Sequence, residues 1–491
     1  MKVGVVERPA ERTLSTRKET SAPLPEEPWP IPRNWRWVRM CDVATIVGGS
    51  TPRTDRSDYF GGNIPWITPA DLSKYTAKTI SRGARNITQA GLDNSGARLL
   101  PAGTVLFSSR APIGYVAIAA NPVSTNQGFK SFILNDEVRP DFVYYYLQRA
   151  RDLARSLASG TTFLEISGKK ASQIPIPVPP LDEQQRIVAE IEKQFTRLDA
   201  GVTSLKQVQA ALKRYRASVL KAACEGRLVP TEAELARKEN RNYETGEQLL
   251  QRILKERREK WKGKGKYKEP LAPNIVDLPT LPEGWTWATV GQLAWSVRDG
   301  PHYSPKYVTE GIAFITGGNV RPSGVDFTNA KRISRELHAE LSKRCKPELG
   351  DMLYTKGGTT GIARVNTYEQ EFNVWVHVAV LKLVPSIHRF FLQHALNSPF
   401  AYAQAQRFTH GVGNQDLGLT RMINIVVPLA PLAEQTRIAA EVDRQLSGIE
   451  KLDAIVNANL KRGIDLRQSV LHQMFSAQKS GNRSSINEPT K

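Results

Sequence analysis

The chain has 491 residues, more than one ordinary hydrophobic core holds, and suggests roughly three domains' worth of length. Its 40% hydrophobic and 24% charged residues exclude a disordered or fibrous chain. Sixty-eight Lys and Arg against 48 Asp and Glu leave a net charge of +20. That excess attracts polyanions and makes DNA, RNA or an acidic membrane surface the leading partners, beside the bland reading of a merely basic protein.

In chain order, residues 1–28 are polar, lack the apolar core of a signal peptide and read as a mobile tail. No run approaches the ~18 apolar residues of a membrane span, so no membrane partner is expected and the cytoplasm is the expected location. Residues 29–179 open on Asn34-Trp35 and alternate short runs such as Val105-Leu106-Phe107 with Gly and Pro turns and helix-like pieces such as 140–147. This is a strand-rich α+β pattern. Residues 180–225 start Pro-Leu-x-Glu-Gln, with proline before a helix and an acid in its first turn. Ile187, Ile191, Phe195, Leu198, Val202, Leu205, Val208, Leu212, Tyr215 and Val219 then step by three or four, one apolar seam on a long helix. About forty residues at ~1.5 Å each make a rod of about 60 Å. Residues 226–279 hold a helix over 247–261 and the stretch Lys262-Gly263-Lys264-Gly265-Lys266-Tyr267-Lys268, read as an exposed basic linker with DNA contact as the alternative. Residues 280–430 form a second strand-rich module opening on Gly284-Trp285. Residues 431–477 form a second long helix with Ile438, Val442, Leu446, Ile449, Val456, Leu466 and Val470 on its seam, and with Asp453 and Gly463 as weak points. Residues 478–491 are another polar tail.

The organisation is a repeat. Pro180-Leu181-Asp182-Glu183-Gln184 returns as Pro431-Leu432-Ala433-Glu434-Gln435, an offset of 251 residues (431 minus 180), and the same offset carries Ser218-Val219-Leu220 onto Ser469-Val470-Leu471. Fainter echoes join Trp35-Arg36-Trp37 to Trp285-Thr286-Trp287 and 64–68 to 312–316. The expected fold is α+β: two strand-rich modules separated by two long helices in an antiparallel coiled coil, with a pseudo-two-fold internal repeat. The alternative is that each seam packs on its own module.

Catalytic signatures are missing. Asn397-Ser398-Pro399-Phe400 only approximates the turn of an adenine methyltransferase, and no Gly-rich strand-to-helix turn stands upstream. Ser167-Gly168-Lys169-Lys170 lacks the first glycine and the Ser/Thr of a phosphate loop. The seven histidines form no zinc pattern, and His377 reads as a strand residue. Clustered carboxylates beside a lysine are not evident. Cys41, Cys224 and Cys345 support neither disulfide nor zinc site. What remains are basic and polar residues on turns, able to neutralise phosphates or bond base edges: Arg53, Lys74, Arg82, Arg85, Arg110, Gln127 and Lys169 in the first module, and Lys306, Arg321, Lys331, Lys356 and Arg421 in the second. Each alone is more simply a solvated surface charge.

On the duplicated Pro-Leu-x-Glu-Gln-x-x-Ile motif, the stretch Leu212-Lys213-Arg214-Tyr215-Arg216, the Asn34-Trp35 and Gly284-Trp285 openings and Asn126-Gln127-Gly128, the chain resembles specificity subunits of type I restriction-modification systems. The resemblance covers nearly the whole chain. It implies a non-catalytic reader of double-stranded DNA, with two target-recognition domains each reading half of a split, asymmetric site. It implies docking of two modification (methyltransferase) subunits and of restriction (translocase and nuclease) subunits. No cofactor is expected on this chain; S-adenosylmethionine, ATP and Mg are implied for the partners. The second helix departs from the motif at Leu460-Lys461-Arg462-Gly463. A self-sufficient methyltransferase or nuclease, or a coiled-coil scaffold binding nucleic acid without sequence preference, are the rival readings.

Overall fold

The computed structural model describes residues 27–110, 112–160, 164–261, 265–411 and 416–476. The expected tails at 1–28 and 478–491 fall almost wholly outside them, as do Lys262, Gly263 and Lys264. The chain divides into two compact units: the described residues of Met1–Leu205 with Ala458–Lys491, and those of Lys206–Asn457. These are not the two sequence halves. Each long helix contributes to both units.

In the first unit, strands β1 (Arg36–Arg39), β2 (Ala44–Gly48), β3 (Phe60–Ile67), β4 (Thr79–Ile80), β5 (Arg85–Ile87), β6 (Val105–Ser108), β7 (Val116–Ala119), β8 (Ser124–Thr125), β9 (Phe129–Leu134) and β10 (Pro175–Val178) build three sheets. A five-stranded sheet has the order β2-β9-β6-β7-β4, a three-stranded sheet the order β5-β3-β8, and β1 pairs with β10. All four residues of β6, Val105 to Ser108, are buried, as befits a central strand covered on both faces. The β1–β10 ribbon zips the start of the module to its end, with Trp37 opposite Pro177. Proline, which cannot donate to a ladder, is tolerated in such a two-stranded ribbon. The ribbon delivers the chain to the first long helix, Leu181–Cys224.

The second unit repeats this plan with β11 (Thr286–Thr289), β12 (Ala294–Asp299), β13 (Ile312–Ile315), β14 (Val320–Arg321), β15 (Gly324–Val325), β16 (Lys331–Ile333), β17 (Met352–Thr355), β18 (Ala363–Val365), β19 (Phe372–Val374), β20 (Val378–Leu383) and β21 (Val426–Leu429). Its sheets run β12-β20-β17-β18 and β16-β13-β19, with β14 pairing β15 and β11 pairing β21. Trp287 lies opposite Pro428, as Trp37 lies opposite Pro177. The second long helix, Leu432–Met474, follows and runs unbroken through Gly463.

The repeated Pro-Leu-x-Glu-Gln motif is the joint between module and helix. Gln184, fully buried, donates to Glu137 O (2.8 Å) and Pro179 O (3.0 Å) and accepts from Arg139 N (2.9 Å). Gln435 likewise donates to Ala430 O and accepts from His388 N. Glu183 accepts from the Trp35 indole at 3.0 Å and from Asn34 at 2.7 Å. Glu434 is fully buried beside the Trp285 indole and accepts from Glu232 N; burial pushes its carboxyl above the usual range.

Within the first unit, Arg467 of the second long helix pairs with Asp199 of the first at 2.6 Å and stacks on Phe195 at 4.5 Å. Val470, Leu471 and Phe475 enter the core of the module, Phe475 lying 5.2 Å from Phe142 and 5.6 Å from Tyr146. Within the second unit, Gln209 bonds Asn457, Arg216 approaches Glu450 and Tyr215 bonds Gln445. In both units numbers rise on one helix as they fall on the other. Ile191, Phe195, Leu212, Ile438, Val442, Leu446, Ile449 and Val456 are buried, and Ile187, Leu198, Val202 and Leu205 are half-buried. Val208, Tyr215 and Leu466, expected on the seams, are 45%, 52% and 49% exposed. The three-and-four step holds for any apolar stripe and does not say which of two adjacent faces is covered.

The expected helix over 247–261 is present as Gly246–Glu259 and residues 265–279 are mostly exposed, but residues 231–259 are not an exposed linker. Thr231 caps Glu232–Glu239 and Thr245 caps Gly246–Glu259, each in a reciprocal box, with Glu234 and with Gln248. Leu249, Leu250 and Ile253 are buried against the second module. At Gly246 an added Cβ would lie 2.2 Å from Leu429 O, so only glycine allows that approach. Glu232, 3% exposed, is held by Arg241 (2.6 Å) and Arg437 (2.7 Å). Asn397-Ser398-Pro399-Phe400 is a helix start, Ser398 accepting from Ala401 N.

Candidate nucleic-acid interface

In each module the loops that leave the ends of four strands meet, held by the same backbone bonds. In the first, Asn126 N donates to Ile67 O, Ser109 N to Gly128 O and Ile166 N to Ser109 O. In the second, Trp375 N donates to Ile315 O, Lys356 N to His377 O and Leu417 N to Lys356 O. A glycine permits the tightest approach in both. A Cβ on Gly49 would meet Asn126 O at 1.9 Å, and one on Gly300 would meet Val374 O at 1.8 Å. After β3, Asp71 accepts from Thr68 N, and after β13 Asn319 accepts from Thr316 N.

The side chains on this shared frame differ. In the first module Thr51 bonds the exposed Gln127, while Glu165 takes Lys130 at 3.4 Å and Arg110 at 3.5 Å. An open cleft of about 680 Å³ in the same module is lined by Asp71, Lys74, Tyr75 and Tyr115 among others. In the second, Lys356 is 1% exposed and bridges Asp416 (3.0 Å) and Asp299 (3.4 Å), and Arg344 adds a 2.9 Å bond to Asp299. Two carboxylates beside a lysine, not evident from sequence, thus exist. The ammonium group already bonds both. Among the described residues no group of three or more His, Cys, Asp or Glu side chains is placed to hold a metal ion. His377 lies not in a strand but in the loop after β19, its ring 4.7 Å from Trp375 and against Gly357; burial holds its pKa below the ordinary value.

The expected contact residues separate accordingly. Lys356 is buried in its ion pairs and does not reach solvent. Arg53 is spent on Asp55 (2.7 Å), Arg110 on Glu165 and Arg321 on Asp326 (3.0 Å). The Arg53 guanidinium in turn holds Asp55 below the usual carboxylate range. Arg421 donates to Leu417 O and Asp416 O and braces its own loop. Gln127 stands at the loop junction. Lys74, Arg82, Arg85, Lys169, Lys306 and Lys331 are exposed and, among the described residues, have no carboxylate partner. Several are not on turns: Arg85 and Lys331 begin strands, and Lys169 lies in the short helix Gly168–Ala171. Sequence reasoning missed Thr51, Asp299, Arg344, Trp375 and Asp416. Gly49 and Gly300, at the 251-residue offset just after β2 and β12, were the available signal.

The family model for the type I restriction modification DNA specificity domain matches the chain twice, over residues 32–214 and 283–457. The type I restriction enzyme MjaIX specificity subunit of Methanocaldococcus jannaschii is 44% identical over 159 residues, 32% of this chain and 37% of that one. The EcoBI specificity subunit of Escherichia coli is 24% identical over 455 residues, 90% of this chain and 85% of that one. A chain solved in a study of complex assembly and conformational transition of the type I R-M system aligns over 92% of this chain and all of its own, with TM-score 0.60 and 20% identity. That likeness concerns the fold. With both copies of the domain accounting for both modules, the chain belongs to the type I restriction-modification specificity family, whose members recognise DNA and are not themselves catalytic.

Proposed function

We propose that this chain reads a bipartite, asymmetric site on double-stranded DNA, one half through each module. The supporting observation is the four-loop frame. Its backbone bonding is the same in both modules while its side chains differ, which is what two readers of unlike half-sites require. The two modules are related by a pseudo-two-fold, and the long helices form an antiparallel coiled coil that serves as spacer. A rod of about 60 Å exceeds one ~34 Å turn of B-DNA and is long enough to set the separation of half-sites. The similar faces of the two helices dock two modification subunits, which bring S-adenosylmethionine, and restriction subunits that use ATP and Mg join them. The complex works in the cytoplasm. No helix among the described residues is long and apolar enough to cross a membrane.

A genome-wide map of methylated adenines with the gene intact and deleted tests this. A split motif disappears on deletion, and exchanging residues 29–179 changes one half of it only. A map that deletion leaves unchanged refutes the reading, provided the chain is shown to bind a co-encoded methyltransferase.

A further inference from the structure

The three-stranded sheets carry a matched pair of cations. Arg85, the first residue of β5, lies opposite Trp66, and Lys331, the first residue of β16, lies opposite Phe314. The Arg85 guanidinium stands 4.4 Å from the Phe60 ring centre and 5.6 Å from that of Trp66. The Lys331 ammonium stands 4.3 Å from the ring centre of Tyr307, which itself leans on Phe314. Among the other stacked cations, Arg149 over Trp29 and Arg407 over Phe408 lie on helices rather than on a sheet, Arg257 over Trp295 bonds Ala294 O, and three are engaged by carboxylates. Arg56 over Tyr59 is paired with Asp58, Lys78 over Tyr145 with Glu192, and Arg467 over Phe195 with Asp199. Arg85 and Lys331 are exposed and, among the described residues, have no carboxylate partner. The Trp66 indole donates to Ser50 O at 3.1 Å, tying the first of these sheets to the loop junction.

A cation aimed by an aromatic shelf on a strand loses little conformational freedom on binding, unlike a lysine on a loop. Both groups are pure donors, and guanine offers two acceptors, O6 and N7, side by side in the major groove. Arg meets them with a planar fork and Lys with a point charge, so equivalent positions carrying unlike cations read with unlike stringency. Resting on the bipartite reading above, we infer that Arg85 and Lys331 are base-reading residues, one per half-site, each contacting a guanine edge.

The test is the methylated-adenine map of cells carrying the chain with its co-encoded methyltransferase. Wild type is compared with Arg85→Lys, Arg85→Gln and Lys331→Gln. Arg85→Lys keeps the charge and loses the fork. The expected result is that both Arg85 variants relax one guanine position in one half of the motif, by about ten- to a hundred-fold in preference, and leave the other half unchanged. Lys331→Gln relaxes a position in the other half only. Phosphate contact instead predicts that Arg85→Lys behaves as wild type and Arg85→Gln lowers methylation at all sites alike. That outcome overturns the inference, as does silence of all variants or loss of every site. A wild-type map with no split motif overturns the bipartite reading itself, and this one with it.

Discussion

Glycines inside the long helices act in two ways. Gly201 and Gly448 have nothing within 4 Å of where a Cβ would stand. Alanine there is expected to raise stability by about 0.5–1 kcal/mol each, read as a higher thermal midpoint. At Gly463 the added carbon would come within 3.1 Å of Val202 Cγ2, so the same substitution brings no comparable gain. From sequence Gly463 reads as a weak point; it is a place of close approach, a property fixed by a residue 261 positions away (463 minus 202). His377 makes a second prediction at this scale. Its folded pKa lies below the ordinary 6.5, chiefly from burial and against the pull of Asp416, so the unfolded chain binds its proton more readily. The stability contributed by the neutral ring is therefore full above about pH 6.5 and falls as pH drops below it. The variant His377→Gln should have a shallower stability slope between pH 7 and 5 in denaturant titrations. Lys356 shows why basic residues alone mislabel a surface. Its burial is set by Asp299 and Asp416, which no local pattern links to it.

Gln184 and Gln435 explain why the repeated motif ends in glutamine. Each is a buried amide that satisfies backbone groups of the module it joins to its helix. Removing the Gln184 amide in Gln184→Ala leaves Arg139 N and Glu137 O unpaired, an expected loss of about 1–3 kcal/mol by chemical denaturation. Gln184→Glu keeps an acceptor but no donor and restores only part. The helix starts were legible because proline and acid mark them, and the seams because their period is regular. The covered face was not, as Val208, Tyr215 and Leu466 show. Within 226–279 the helix over 247–261 was legible, but the helix Glu232–Glu239 and the packing of both were missed because charge and glycines outweighed two capping boxes, Thr231 with Glu234 and Thr245 with Gln248, visible in the sequence. Nor could strand order be read from short apolar runs, since β3 pairs with β8 and β13 with β19 across long intervals.

The division into compact units departs from the division into sequence repeats. Phe475, fully buried between Phe142 and Tyr146, belongs to the core of the first module although it directly follows the second long helix. Phe475→Ala is expected to cost about 3–5 kcal/mol. Hydrogen exchange should show the loss in residues 29–179 and leave 280–430 protected, the reverse of what proximity in sequence suggests. A ribosome finishing this chain therefore completes its earliest-made module last. A product that stops short of residue 470 lacks the hydrophobic plug of the first module, so a prematurely ended chain is expected to leave that core open to proteases.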